Sequence, residues 1–237
     1  MDILVICQYY YPEPFRISDI CESLVEKGHN VTVITGLPNY PEGKVFNGYR
    51  YGKKRKEVIK GVKVLRTFGI GRGGNKISLL LNYISFAISA SIKTFLMKEK
   101  FDVVLVNQLS PIFMGIPGMI YKKKNKKKML LYCLDIWPAS LTAGGIREGS
   151  ILYKFFFYIS KWIYHSADSV AVSSTMFINY LKDTIGLKNK TILYLPQYAE
   201  EAYKENIVVK KSNHFNFVFA GNIGEMQSVQ TIVKAAD

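Results

Sequence analysis

The chain has 237 residues, 49% hydrophobic and 14% aromatic, which suits one large domain or one domain with part of another and excludes a disordered chain. The formal net charge of +14 comes from 32 basic and 18 acidic side chains. Half of the cations fall in 50–76 and in KKKNKKK at 122–128, so an anionic partner is expected among nucleic acid, phosphorylated substrate and anionic membrane, with a pair of solvated loops as the plain alternative.

In chain order, ILVIC at 3–7 reads as a strand too short to be the core of a signal peptide. Ile17, Ile20, Cys21 and Leu24 repeat at helical spacing, and Gly28 ends that helix. Strands are expected at 31–35 and 62–68. Next comes 77–97, ISLLLNYISFAISASIKTFLM, where Ser78, Asn82, Ser85, Ser89 and Lys93 form one polar stripe on an otherwise apolar helix. That pattern predicts packing on a sheet or lying in a membrane interface rather than crossing a bilayer. Strands at 102–106, 129–134, 169–174 and 191–196 alternate with helices near 111–121, 150–165 and 175–184. Cys7, Cys21 and Cys133 form no CxxC pair and lie within apolar runs, as reduced core thiols do.

About seven apolar strands with helical crossovers predict an α/β fold, a Rossmann-like parallel sheet with helices on both faces, over 1–196. Residues 197–214 are charged and aperiodic, as a linker would be. A strand at 215–220, a Gly-Asn-Ile-Gly turn and a helix from about 227 read as the first βα unit of a second, incomplete domain spanning 215–237.

Parallel open sheets bind ligands beyond the carboxyl ends of their strands. The loops expected there are QYYYPEPFRI, GLPNYPEGK, NQLSPIF and DIWPASL, and they combine proline with polar and aromatic groups suited to a sugar ring. On YYYPEPFRI, TGLPNYPEGKVFNGY, DIWPASL and GNIGEMQ, the chain resembles bacterial GT-B-fold glycosyltransferases of family four, closest to the fucosamine-transferase-like branch of O-antigen and capsule assembly.

The resemblance implies two Rossmann-like domains facing a cleft. Glu13, Arg16, Asn39, Tyr40, Glu42 and Gly43 would line its acceptor side, Asp135 would lie near the reacting sugar, and Gly221, Asn222 and Gly224 would approach the donor phosphates. It also implies sugar transfer with retained configuration from a nucleotide-sugar donor to a lipid-linked saccharide. The place of action would be the cytoplasmic face of the cell membrane, as a peripheral protein on an anionic surface. The family's paired-glutamate motif is not in this chain, so little or no transfer is expected of it alone, and a non-catalytic acceptor- or membrane-binding half is an alternative.

Each residue has a plainer reading. Asp135 could cap a following helix, Glu13 and Arg16 could pair, NYPEG could be a turn, and the glycines could serve close packing. No D-x-D triplet or Cys/His cluster calls for a metal, and no cofactor is expected. A nicotinamide enzyme would need glycines directly after the first strand, and 8–16 has none. The cations lie in loops without a recognition motif, so nucleic acid is not expected as a partner.

Overall fold

The computed structural model describes residues 1–199, 214–221, 223 and 227–236. Among these, one sheet has the strand order β3-β4-β2-β1-β5-β6-β7-β8. The strands are β1 (Asp2–Ile6), β2 (Asn30–Thr35), β3 (Lys56–Ile59), β4 (Val62–Arg66), β5 (Val103–Gln108), β6 (Lys128–Cys133), β7 (Ser169–Val172) and β8 (Thr191–Tyr194). All pairings are parallel except that of β3 with β4. Central strands are apolar at nearly every position because helices cover both faces. The helix α1 (Ile17–Glu26) packs Ile17 and Cys21 against Ile3, Val5, Val31 and Val33. On the opposite face lie α2 (Lys76–Leu96), α3 (Gly115–Asn125) and α4 (Ile151–Ser166), which bury Phe86, Tyr121 and Ile163 among others. The short α5 (Thr175–Asn179) leads towards β8.

The chain leaves β1 for β2 on one side and returns through α2 to β5 on the other, so the order reverses between β1 and β5. Open α/β sheets bind their ligands beyond the carboxyl ends of the strands at such a reversal.

Three expectations need correction. The sheet has an eighth strand, β3, whose KEVI is charged and lies half-exposed at the sheet edge. It returns to β4 through Lys60 (φ 45°) and Gly61 (φ 80°), a mirror-image turn of the kind more often signalled by Asn-Gly. The strand expected at 215–220 does not form; Phe215 and Phe217 are almost wholly exposed. A lone strand has no neighbour for its peptide groups, so its apolar pattern is not enough. Finally, the basic stretch 50–76 is not a solvated loop throughout. Arg66 is buried, with Nε donating to Glu57 Oε2 at 3.2 Å and Nη2 to the Tyr11 carbonyl at 2.6 Å.

The chain divides into two compact units, Met1–Pro196 and Gln197–Asp237. The second contains α6 (Val229–Ala236). Residues 200–213 of the expected linker lie outside the described residues.

Candidate functional site

The loops after β1, β2, β4 and β6 leave the same edge of the sheet, and Glu13 joins the first two. Its Oε1 accepts from the peptide N–H groups of Asn39 and Tyr40, each at 2.8 Å, and Oε2 from that of Tyr10 at 3.4 Å. Burial raises the carboxyl to about 7, although the three N–H groups oppose the rise. Desolvation exceeds the gain because the side chain is almost completely enclosed. Glu13 is therefore a clasp between loops rather than a surface for a ligand. The alternative pairing with Arg16 is not made; Arg16 lies 3.7 Å from Asp19 at the start of α1.

Asn39 ties in a third loop. Its Oδ1 accepts from the Arg72 peptide N–H at 3.0 Å, and its Nδ2 donates to the Leu37 carbonyl at 2.7 Å. Gly43 and Gly73 cross closely, with Gly73 N–H donating to the Gly43 carbonyl at 2.8 Å. A Cβ on Gly43, at φ 78°, would stand 2.7 Å from the Gly73 oxygen, so this glycine serves the crossing. Glu42 is exposed and faces a separate hollow of 310 Å³ with Lys44, Phe46 and Arg50.

On this frame sits a group of rings. Tyr9 and Phe15 stack at 4.9 Å, and Phe15 meets Tyr40 edge-on at 5.3 Å. The Arg72 guanidinium lies 5.6 Å from the Tyr40 ring centre. Gln8, just past the end of β1, donates to Asn82 of α2 at 2.7 Å, which holds the first turn of the crevice against that helix.

Asp135 approaches from the far side. Gln108 Nε2, at the end of β5, donates to the Asp135 carbonyl at 2.9 Å and fixes its loop. Burial raises its carboxyl, while the Ser110 and Ser140 hydroxyls hold it down. No helix begins at Asp135; the next turn, Ala139–Leu141, has Pro138 at its cap, so a capping role is excluded. Burial raises the Tyr83 phenol, with Arg72 opposing the rise and Asp135 adding to it. Tyr9 likewise feels Tyr83, Arg72, Glu13 and Tyr40. The Arg72 guanidinium and the Tyr40 ring thus stand together on one part of this sheet edge, and the half-buried Asp135 stands on the loop fixed by Gln108.

Of the residues expected from sequence, Glu13, Asn39, Tyr40 and Gly43 come together directly, whereas Asp135 stands on the separate loop held by Gln108. Arg16 stands beside Asp19 at the start of α1, and Glu42 faces the separate hollow. Gly221 is exposed in the second unit, and Asn222 and Gly224 lie outside the described residues. Sequence reasoning missed Gln8, Arg72, Asn82 and Tyr83. The signal for Arg72 was the glycine-rich GIGRGG directly after a parallel strand. Among the described residues no three His, Cys, Asp or Glu side chains gather to hold a metal ion.

The fold has counterparts among solved glycosyltransferases. Sucrose-phosphate synthase from Thermosynechococcus elongatus matches with a TM-score of 0.56 at 15% identity, over 82% of this chain and 47% of that one. TcCGT1 in complex with UDP matches at 0.50 and 8% identity, over 86% of this chain and 54% of that one. Such low identities establish likeness of fold alone, that of the GT-B glycosyltransferases. In sequence, the chain is 22% identical to the Escherichia coli K12 protein named "Putative colanic acid biosynthesis glycosyl transferase WcaI", across all of this chain and 62% of that protein. It thus spans less than two thirds of the length of this relative. The model of Glycosyltransferase Family 4 matches residues 16–197, most of the chain, and the chain belongs to that family.

Proposed function

We propose that the chain supplies the acceptor side of a retaining glycosyltransferase, which moves a sugar from a nucleotide-sugar donor to a lipid-linked saccharide in surface polysaccharide assembly. The observation that carries this reading is the convergence of the loops after β1, β2, β4 and β6 on one rim, where the half-buried Tyr40, backed by the buried Tyr9, presents its ring beside Arg72. Ring faces suit the apolar face of a sugar, and Arg72 suits the diphosphate of a lipid carrier. In the transfer, the bond from the sugar C1 to the departing diphosphate oxygen breaks and one to an acceptor hydroxyl forms. The hydroxyl proton leaves with the diphosphate, and the Asp135 carboxylate faces the positive charge that develops on the sugar.

The comparisons supporting this are the family match and the relative whose name places it in colanic acid biosynthesis. The O-antigen or capsule setting, the fucosamine-transferase-like branch and a cytoplasmic, membrane-peripheral location belong to the same proposal. So does donor binding at Gly221, Asn222 and Gly224.

Equilibrium binding of a fluorescent short-chain isoprenyl diphosphate disaccharide tests the reading. The native chain should bind it, and Tyr40→Ala and Arg72→Ala should each weaken binding about tenfold, the loss of one stacked ring or one charge-assisted contact. Equal binding by native chain and both variants would overturn the assignment of this rim.

A further inference from the structure

The helix α2 is turned the opposite way from what its composition invites. Its polar stripe faces the protein: Asn82 Nδ2 donates to the Ile70 carbonyl at 2.5 Å, Ser85 Oγ accepts from the Ile70 N–H at 2.9 Å, and Ser89 Oγ donates to the Phe68 carbonyl at 2.5 Å. The segment 68–70 has no strand partner, so these side chains satisfy its peptide groups. What faces outward is apolar. Ile77, Leu81, Ile84, Ile88, Ile92 and Phe95 recur at steps of 4, 3, 4, 4 and 3, and all are exposed, Ile77 to 73% and Phe95 to 59%.

The helix is long and apolar enough to cross a membrane by length and composition. Its other side, however, belongs to the core through Phe86, Ala87 and Ala90. Two helices along the same face of the sheet, α4 repeats the pattern. Ile151, Phe155, Tyr158 and Trp162 are exposed at steps of 4, 3 and 4, with Lys154 and Lys161 on their flank. Between them, α3 contacts both helices and ends in lysines.

A groove of 610 Å³ opens beside the C-terminal half of α2, against the β3–β4 edge. Ile92 and Leu96 of the outward face line it, together with Phe68. Its charged lining includes Arg55, Lys56, Lys93 and Lys98, against the single acid Glu99, which is paired with Lys63 at 3.1 Å. An apolar wall ringed by cations matches a molecule with an anionic head and a hydrocarbon tail.

We propose that the outward faces of α2 and α4 rest on an anionic lipid bilayer, and that this groove seats the phosphate headgroup of one membrane lipid. The inference rests on the reading of a lipid-linked acceptor but concerns a different surface. Half of the lysine run at 122–128 is structural: Lys122 pairs with Asp168 at 2.8 Å, Lys128 lies 3.6 Å from Asp168, and Lys124 bonds the carbonyls of Phe95 and Met97 at the end of α2. The groove, rather than that run as a whole, carries the headgroup contact.

The test is binding of the full chain to phosphatidylglycerol vesicles and to phosphatidylcholine vesicles, read by sedimentation and by Trp162 fluorescence. Of the two tryptophans, Trp137 is buried and Trp162 exposed, so a blue shift with quenching by brominated lipid reports α4. Native chain should prefer the anionic vesicles at least tenfold. Leu81→Gln with Ile88→Gln should weaken binding to both vesicles. Lys56→Glu with Lys98→Glu should remove at least tenfold of the anionic preference. An equal charge change at the opposite sheet edge, Lys182→Glu with Lys188→Glu, should cost less than threefold.

Equal losses from the two charge pairs would overturn the groove. Absence of binding to either vesicle would overturn the whole surface. So would native chain forming a dimer that the Leu81/Ile88 change dissolves, because the stripe would then face a second copy. Displacement by inorganic phosphate as complete as by short-chain phosphatidylglycerol would assign a free-phosphate site instead. Failure here with intact rim binding of the soluble diphosphate disaccharide leaves the acceptor assignment of the rim standing and removes the membrane-peripheral location, whereas the reverse pattern removes the acceptor assignment.

Discussion

At the crevice rim, a carboxylate is shut away from water while peptide N–H groups from two loops close on it. Along the outer face of α2, isoleucines stand in water while Asn82 of the same helix is buried. The two regions invert the usual assignment of polar to outside and apolar to inside. Each inversion has a local cause. Loops that leave a parallel sheet bring unpaired peptide groups inward, and buried side chains must satisfy them. An apolar stripe that such satisfaction turns outward is then left for another surface to cover.

Removing the clasp should give the largest effect. Glu13→Ala leaves at least two buried N–H groups without an acceptor, at about 1–3 kcal/mol each, so urea unfolding should show a loss of about 3 kcal/mol. A loss below 1 kcal/mol would mean that water replaces the carboxylate and the loops are not joined through it.

The pH dependence comes next. The folded Glu13 carboxyl lies near 7, above the ordinary 4.5, so between those values the folded chain holds a proton that the unfolded chain has released. Stability from this group is therefore fully present below pH 4.5, falls as pH rises towards 7 and levels off above it. The change is on the order of 3 kcal/mol. Glu13→Gln should remove that slope from the difference between the two unfolding curves; an unchanged slope would place its origin in another group.

On α2 the contrast can be drawn within a single helix. Asn82→Leu adds apolar character to a buried site, yet it strands the Gln8 amide and the Ile70 carbonyl and should cost about 2 kcal/mol. Ile88→Ser removes apolar character from an exposed site and should change stability by less than about 0.5 kcal/mol. If thermal unfolding showed the serine variant to be the worse of the two, the orientation of α2 described above would be wrong.

These particulars also show what a single sequence makes legible. The apolar strands β1, β2, β5, β6 and β7 stood out because both faces are covered and the runs are nearly unbroken, while β8 stood out by its apolar run alone, since it lies largely exposed at the sheet edge. The loops at their carboxyl ends followed from the parallel arrangement. Periodicity showed that Ser78, Asn82, Ser85 and Ser89 share one side of α2, but it carries no information about which side meets the protein. That depended on the unpaired segment 68–70. In the same way, Glu13 could be recognised as a polar residue in a loop, whereas its partners are peptide groups of residues 39 and 40, which leave no trace in side-chain identity. Arg72 was hidden by its setting, a glycine-rich stretch that read as part of a basic loop.

The central claim is that the rim between β1, β2, β4 and β6 receives the acceptor. Amide hydrogen exchange with and without the soluble isoprenyl diphosphate disaccharide tests it most directly. Slower exchange confined to residues 8–16, 36–46, 69–75 and 134–141 is the predicted result. Protection of the loops after β7 and β8 instead, with these four segments unchanged, would contradict it.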